Sequence, residues 1–137
     1  MFQEKVSDKP YIVIVDDNEI DLMIANRLFN RVDSDICVQT FMSCQELSIW
    51  LESKKEDGLP QNLVFLIDIY MPNCNGFSIA ESISHFFDNH PLKPPCYLLS
   101  ASIDYSDKLK IKQNEFVTGF LGKPITIDWI SMLLNKV

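Results

Sequence analysis

The sequence has few of the residues with which proteins usually bind zinc or carry out thiol redox chemistry. It contains two histidines and four cysteines, and no two cysteines are spaced as a C-x-x-C pair. This spacing excludes the common zinc-binding and redox motifs. We therefore expect Cys37, Cys44, Cys74 and Cys96 to be reduced, partly buried thiols in a cytosolic protein.

Long apolar runs and an excess of positive charge are also missing. No stretch approaches the ~18 apolar residues of a membrane helix, and the amino terminus has no apolar signal core. The chain has 12 lysines and arginines against 19 aspartates and glutamates, a formal net charge of -7. Proteins that bind nucleic acid need clustered cations. We expect a cytoplasmic protein that binds neither membranes nor nucleic acid, and whose carboxylates suit a bound cation.

A chain of 137 residues is long enough for one domain with its own apolar core. Residues 1–9 read as a polar N-terminal segment, and residues 10–137 as the domain. The central feature is an apolar run over residues 63–68 that ends in Asp68. It is too short for most helices and is bounded by prolines on either side, which predicts a strand buried on both faces.

Four other short segments also predict β-strands, and amphipathic stretches that predict five helices alternate with the strands. The other strands are predicted at residues 11–15, 37–41, 96–99 and 119–121. Ser43 and Glu46 form a capping-box pattern at the start of the second helix. Strands that alternate with helices in this way are typical of a doubly wound α/β fold with a parallel sheet.

Polar residues follow four of the predicted strands at the points where the strands end. They are Asp16 and Asp17, Asp68, Ser100 and Lys123. Taken alone, Asp68 is better explained as a turn residue or a helix cap than as a site residue, but in a parallel sheet these ends meet at one edge. Carboxylates held so close repel one another unless a cation joins them, and oxygen ligands favour Mg²⁺ or Mn²⁺. With the lysine and the hydroxyl, they form a set suited to phosphoryl transfer.

These motifs resemble those of the receiver domains of two-component response regulators. The resemblance runs from Tyr11 to Val137 and rests on Val15-Asp16-Asp17, Asp68 with Met71-Pro72 and Gly76, Ser100-Ala101, and Lys123-Pro124. Each motif alone is common, but their order and separations together are specific. The resemblance implies a flavodoxin-like fold, in which a five-stranded parallel sheet of order 2-1-3-4-5 is flanked by five helices.

The resemblance also implies a chemical role for each site residue. Asp68 would be the phosphoacceptor, which takes a phosphoryl group from the phosphohistidine of a histidine kinase. Mg²⁺, with Mn²⁺ as the alternative, would be bound by Asp16, Asp17, Asp68 and the backbone carbonyl of Tyr70. Lys123 and Ser100 would contact the phosphoryl oxygens as catalytic residues.

Other positions would govern the signal and its duration. Ser100 and Phe120 would be the switch residues that move on phosphorylation. Tyr70 and Ser102 lie two residues after the phosphoacceptor and the hydroxyl residue, and they would set how long the phosphoryl group lasts. Gly76 and Pro124 would have structural roles, the latter after a cis Lys-Pro bond.

Two other functions fit parts of the same pattern. A phosphatase of the haloacid dehalogenase type also forms an aspartyl phosphate with Mg²⁺, but that family has a second carboxylate at the position of Tyr70. A receiver that only binds partners usually lacks one of the acids or the lysine, and this chain has them all. We therefore expect a phosphoacceptor signalling domain, not a conventional enzyme, that promotes its own phosphorylation and slow dephosphorylation.

The sequence indicates the class of partner but not its identity. Because the chain ends with the last predicted helix, we expect a single-domain regulator that signals by phosphorylation-dependent protein binding or by phosphorelay. Its partners would be a histidine kinase or phosphotransfer protein and a downstream protein target. It would be a monomer or a phosphorylation-dependent dimer.

Overall fold

A computed structural model of the protein describes residues 9–102 and 104–136, in which strands and helices alternate. The elements are β1 (Tyr11–Val15), α1 (Glu19–Val32), β2 (Cys37–Phe41), α2 (Cys44–Asp57), β3 (Leu63–Asp68), β4 (Tyr70–Met71), β5 (Cys74–Asn75), α3 (Gly76–Phe86), β6 (Cys96–Ser100), α4 (Tyr105–Gln113), β7 (Gly119–Gly122) and α5 (Ile127–Lys136). The polar segment predicted at residues 1–9 lies outside the described residues, apart from its last residue. Each helix in the described part of the chain is too short or too polar to cross a bilayer.

Five of the strands form one parallel sheet in the order β2-β1-β3-β6-β7. Numbered by their sequence within this sheet, the strands have the order 2-1-3-4-5, so the predicted fold is confirmed. The register pairs Val15 with Ile67 and Asp68 with Leu99. The carboxyl ends of β1, β3 and β6 therefore meet at one edge of the sheet.

The central strand β3 is buried on both faces because helices cover both sides of the sheet. Leu63, Phe65 and Ile67 belong to a core that also contains residues of α2 and α3. Val64 and Leu66 point the other way, into a core shared with α1 and α5. Full burial of an aliphatic or aromatic side chain contributes about 1.5–3 kcal/mol. The residue at the end of β3 is thus held by a strand that is buried along its whole length.

Helix caps fix the segments next to this edge. Asn18 accepts hydrogen bonds from the backbone of Ile20 and Asp21 and caps α1. The helix predicted at about residues 107–114 begins at Tyr105, because Asp104 is its cap. Asp107, three residues on, bonds back to the backbone of Asp104 and completes a capping box.

The segment between β3 and α3 contains a short antiparallel hairpin of β4 and β5. Gly76 follows the hairpin, and its N–H donates to the carbonyl of Ile69 at 2.8 Å. A Cβ atom on Gly76 would lie 2.8 Å from the carbonyl oxygen of Asp68. Only glycine therefore lets α3 begin directly against the end of β3.

The cysteines differ from the sequence prediction. Cys44, the first residue of α2, forms a disulfide with Cys74 of β5, and their Cα atoms are 6.3 Å apart. Cys37 is exposed and Cys96 is buried, both as free thiols. The prediction of four reduced thiols is wrong for the pair, because spacing motifs detect only cysteines that are close in sequence. These two are separated by 30 residues.

Candidate functional site

The carboxyl ends of β1 and β3 bring three carboxylates into one cluster. The backbone N–H of Asp16 donates to the carbonyl of Phe41 at 3.0 Å, and its Oδ1 accepts from the backbone of Asn18 at 2.9 Å. Asp68 is the last residue of β3. One carboxylate oxygen each from Asp16, Asp17 and Asp68 lies within 4.8 Å of the others. The structure thus brings together the three acids that the sequence placed at strand ends.

Burial and mutual repulsion make this cluster electrostatically unfavourable by itself. Asp16 is 2% exposed and Asp68 is 7% exposed, whereas Asp17 is open to solvent. Burial raises the pKa of Asp68 to about 6; the charge of Lys123 opposes this increase and the charge of Asp16 adds to it. A bound cation would remove this penalty.

Lys123 supplies a positive charge at the centre of the cluster. Its Nζ lies 2.6 Å from Asp16, 3.1 Å from Asp21 and 3.4 Å from Asp68. Its backbone N–H donates to the carbonyl of Ser100 at 2.9 Å, and the peptide bond that follows it is cis. Burial lowers the pKa of Lys123, but hydrogen bonding to Asp16 and the nearby carboxylate charges raise it overall. Its ammonium group therefore stays charged.

Asp21 is a site residue that the sequence analysis missed. It lies in the first turn of α1, four residues after Asp17, and its carboxylate accepts a hydrogen bond from Lys123. A further acid in the first turn of the helix that follows the Asp16-Asp17 pair was the signal available in the sequence. Asp16, Asp21 and Asp68 thus surround Lys123, and Asp17 lies in the same carboxylate cluster as Asp16 and Asp68. This excess of carboxylate oxygen fits a hard divalent cation.

The two predicted switch residues lie on neighbouring strands. Ser100 ends β6, where its hydroxyl donates to the carbonyl of Ser102 at 2.6 Å and accepts from the backbone N–H of Ser102. Phe120 pairs with Leu98 in the sheet and is 43% exposed. In this arrangement the hydroxyl is held by the loop after β6, and the aromatic ring lies outside the core.

Tyr70 extends from the hairpin toward α4. Its side chain is 57% exposed, and its hydroxyl donates a hydrogen bond to the buried carboxylate of Asp107. The backbone carbonyl of Tyr70 belongs to β4, two residues beyond Asp68. The sequence predicted a metal ligand in the carbonyl of Tyr70 and an effect of Tyr70 on the phosphoryl lifetime, but not the bond to Asp107.

This arrangement of acids, lysine and hydroxyl at the edge of a doubly wound sheet has a match among known protein families. The family model described as the response regulator receiver domain matches residues 12–135. The chain belongs to the response regulator receiver family. The resemblance inferred from its motifs is confirmed, and the receiver is a signalling domain of two-component systems.

Solved receiver structures resemble this one over most of its length. A two-component response regulator from Cytophaga hutchinsonii has a TM-score of 0.81 at 23% identity, and 95% of this chain and 97% of that chain are covered. A response regulator receiver protein from Dyadobacter fermentans has a TM-score of 0.73 at 28% identity, with coverages of 91% and 94%.

A third similar structure contains a partner protein. It is the co-crystal structure of the Saccharomyces cerevisiae histidine phosphotransfer protein Ypd1 with the receiver domain of Ssk1. The match has a TM-score of 0.72 at 24% identity and covers 96% of this chain and 90% of that chain. No match was found among curated proteins.

Proposed function

We propose that this receiver accepts a phosphoryl group on Asp68 from the phosphohistidine of a histidine kinase or a phosphotransfer protein, in a reaction that requires Mg²⁺. One observation carries the proposal. Asp68 ends a fully buried strand, with Lys123 Nζ 3.4 Å from its carboxylate and two further carboxylates within 4.8 Å. A buried acid placed among like charges suits a nucleophile better than a stabilising group.

The carboxylate of Asp68 is the nucleophile in this reaction. One of its oxygens forms a bond to phosphorus while the bond between phosphorus and the donor's imidazole nitrogen breaks, and the imidazole keeps that electron pair. A pKa of about 6 leaves Asp68 mainly ionised at neutral pH. Lys123 already lies beside the attacking carboxylate and would bind the oxygens of the arriving phosphoryl group.

The acidic cluster fits Mg²⁺, with Mn²⁺ as the alternative, because its available ligands are oxygen atoms. The proposed ligands are Asp16, Asp17, Asp68 and the carbonyl of Tyr70. When bound, the ion would neutralise charge on the transferring phosphoryl group. Receiver domains generally bind Mg²⁺ in an acidic pocket, which supports this assignment.

The signal would arise from a rearrangement between β6 and β7. The hydroxyl of Ser100 would exchange its bond to Ser102 for one to the phosphoryl group, which is a stronger acceptor. Phe120, now exposed, would then turn inward. Tyr70 and Ser102, next to the site, would control the access of water and so the lifetime of the phosphoryl group. Gly76 and Pro124 would preserve the backbone geometry around it.

An apolar surface on α1 is suited to the phosphodonor protein. Ile20, Met23 and Ile24 are exposed apolar residues on the helix that also carries Asp21, which contacts Lys123 at the site. A donor histidine must reach Asp68 from outside, so the donor's surface has to cover the rim of the site. Exposed apolar side chains at that rim provide the desolvated contact that protein docking requires.

The likeness to a receiver crystallised with a histidine phosphotransfer protein supports the same class of donor for this chain. We infer a signalling role in the cytoplasm, either as a regulator that binds a downstream protein when phosphorylated or as a relay intermediate. It would act as a monomer or a phosphorylation-dependent dimer. Its chemistry would be limited to promoting its own phosphorylation and slow dephosphorylation.

The test is phosphorylation by acetyl phosphate with Mg²⁺, followed by intact-mass measurement. We expect one phosphoryl adduct on the wild type, and none on Asp68→Asn or on the wild type in EDTA. Asp57→Asn, which removes an exposed carboxylate at the end of α2, should label like the wild type. An adduct that persists in Asp68→Asn, or that forms equally well in EDTA, would overturn the proposal.

A further inference from the structure

The disulfide between Cys44 and Cys74 connects α2 to the hairpin that follows Asp68. Cys44 is the first residue of α2, and Cys74 pairs with Met71 in the hairpin. Their Cα atoms are 6.3 Å apart, within the range of natural disulfides, so the bond can form without a large backbone movement. We propose that this pair is a reversible redox site, which exchanges with a small thiol and its disulfide, such as glutathione.

The pair is accessible to such a reagent. Both cysteines are half-buried and line an open cleft between α2 and α3, together with Ser48 and Ser78. Exchange requires that a thiolate approach one sulfur along the direction of the disulfide bond, and an open cleft permits this. By contrast, burial raises the pKa of Cys96 to about 12, so its reactive thiolate form is suppressed.

The position of Cys44 also favours exchange. Cys44 lies in the first turn of a 14-residue helix, where the helix dipole stabilises a thiolate. A stabilised thiolate is a good leaving group, so an external thiol should attack Cys74. The thiolate of glutathione then forms a mixed disulfide with Cys74, and Cys44 leaves with the electron pair. A second glutathione attacks the glutathione sulfur of the mixed disulfide, which releases oxidised glutathione and Cys74 as a thiolate. Protonation of Cys44 and Cys74 then leaves two thiols, and two electrons have passed from glutathione to the cysteine pair.

The bond would control how firmly the hairpin is held. At its far end the hairpin is already fixed, because Gly76 donates to Ile69 at 2.8 Å and Asn75 caps α3. The disulfide adds an attachment to α2 near the turn. The hairpin carries the carbonyl of Tyr70, so this consequence rests on the proposed metal site. A tethered hairpin is better organised for binding, and we expect the oxidised protein to bind Mg²⁺ roughly threefold more tightly.

The redox site is tested in a Cys37→Ser background, which removes the exposed free thiol and prevents disulfide-linked dimers. The protein is equilibrated across a series of ratios of reduced to oxidised glutathione, alkylated, and weighed as intact protein. We expect Cys44 and Cys74 to be oxidised and reduced together, in a single two-electron step within the series.

A further Cys44→Ser substitution should leave Cys74 as a mixed disulfide with glutathione. A bond that stays intact in ~10 mM reduced glutathione, as structural disulfides do, would overturn the proposal, and so would failure of the bond to form in oxidised glutathione.

The connection to the metal site is tested by calorimetric titration with Mg²⁺ alone, in the oxidised and reduced forms. The double variant Cys44→Ser/Cys74→Ser should bind Mg²⁺ with the affinity of the reduced form, under both oxidising and reducing conditions. Equal affinities of the two forms would overturn the connection. If neither form binds Mg²⁺, the proposed phosphoacceptor chemistry fails instead, and the glutathione titration still decides the cysteine pair.

Discussion

The hydroxyl of Tyr70 donates a hydrogen bond to Asp107, 37 residues further along the chain. Tyr70 lies two residues after the proposed phosphoacceptor, and Asp107 lies in the capping box of α4. The bond raises the pKa of Tyr70 to about 12 and lowers that of Asp107. It therefore links the segment after Asp68 to the start of α4, the helix that follows β6 in the chain.

Tyr70→Phe removes this bond and keeps the ring. A hydrogen bond to a charged group stabilises the folded state, so we expect Tyr70→Phe to lower the free energy of unfolding, by less than a fully buried bond would because Tyr70 is more than half exposed. Since the folded-state pKa of Asp107 is lowered, the contribution is present above its ordinary value of 3.8 and is lost as the pH falls below it. Urea unfolding at neutral and acidic pH measures both effects.

Tyr105→Phe is the matched control, because Tyr105 is an exposed tyrosine in α4. It should change the free energy of unfolding by less than ~0.5 kcal/mol. A Tyr70→Phe variant as stable as this control would show that the bond to Asp107 does not stabilise the fold.

The size of Tyr70 should slow the loss of the phosphoryl group. We expect Tyr70→Gly to dephosphorylate faster than the wild type, because a smaller residue opens the approach of water to the phosphoaspartate. Tyr70→Phe should stay close to the wild type if bulk is what matters. The measurement is the decay of the phosphorylated mass after removal of the donor. An unchanged half-life in Tyr70→Gly would contradict this role.

Asp68 should make the metal-free protein less stable as the pH rises. Its pKa is about 6 in the folded protein, above its ordinary value of 3.8. The folded protein therefore favours the protonated form of Asp68. The stability that this form contributes is fully present below the unfolded-state pKa and is lost as the pH rises through the folded-state pKa. At about pH 7 the loss is on the order of 3 kcal/mol. Thermal melts in EDTA should show that Asp68→Asn melts above the wild type at neutral pH, and that this difference shrinks toward pH ~4. A lower melting temperature for Asp68→Asn at neutral pH would contradict the argument.

Magnesium should stabilise the wild type much more than Asp17→Ala. At ten times its dissociation constant, a ligand stabilises the folded state by about 1.4 kcal/mol. This corresponds to a few degrees in melting temperature for a chain of this size. Asp17→Ala removes a proposed ligand and one repelling charge, so the variant should melt higher than the wild type in EDTA and respond weakly to Mg²⁺. If magnesium shifts both proteins equally, Asp17 is not a ligand.

The apolar surface on α1 should matter for protein donors only. We expect Ile24→Asp to slow phosphotransfer from a phosphorylated phosphotransfer protein at least tenfold, because it puts a charge into a desolvated contact. Labelling by acetyl phosphate should be unchanged. Ile49→Asp is the control, since Ile49 is also an exposed isoleucine but lies on α2, which packs on the other face of the sheet. Equal transfer rates for the two variants would rule out docking on α1.

The parts of this structure that depend on local pattern were predictable from the sequence. The apolar run of β3 has few alternatives to a buried strand, and parallel pairing then brings Asp16 and Asp68 to the same edge. The start of α4 was misplaced by two residues because Asp104 and Asp107 both suit a cap, and only their reciprocal bonds show which one precedes the helix.

The contacts that the sequence did not reveal are those made by side chains across long separations. Asp21 reaches Lys123 because α1 lies beside the loop after β7, and Cys44 meets Cys74 because the hairpin turns toward α2. Neither pair has a spacing motif, since the separation of the partners is set by the whole fold. The chemical type of each site residue and its approximate place in the fold were thus predictable, whereas its contact partners were not.

The Lys123–Asp21 contact joins residues that are 102 positions apart. Between them lies nearly the whole sheet, so no fragment of the chain could hold these groups in place. If Asp68 is phosphorylated as proposed, the rate of that reaction would therefore also report on global folding. A core substitution far from the site, such as one at Phe29, would lower the initial labelling rate in proportion to the fraction of molecules it unfolds. The initial rate would then measure the native fraction through the proposed chemistry of the site itself.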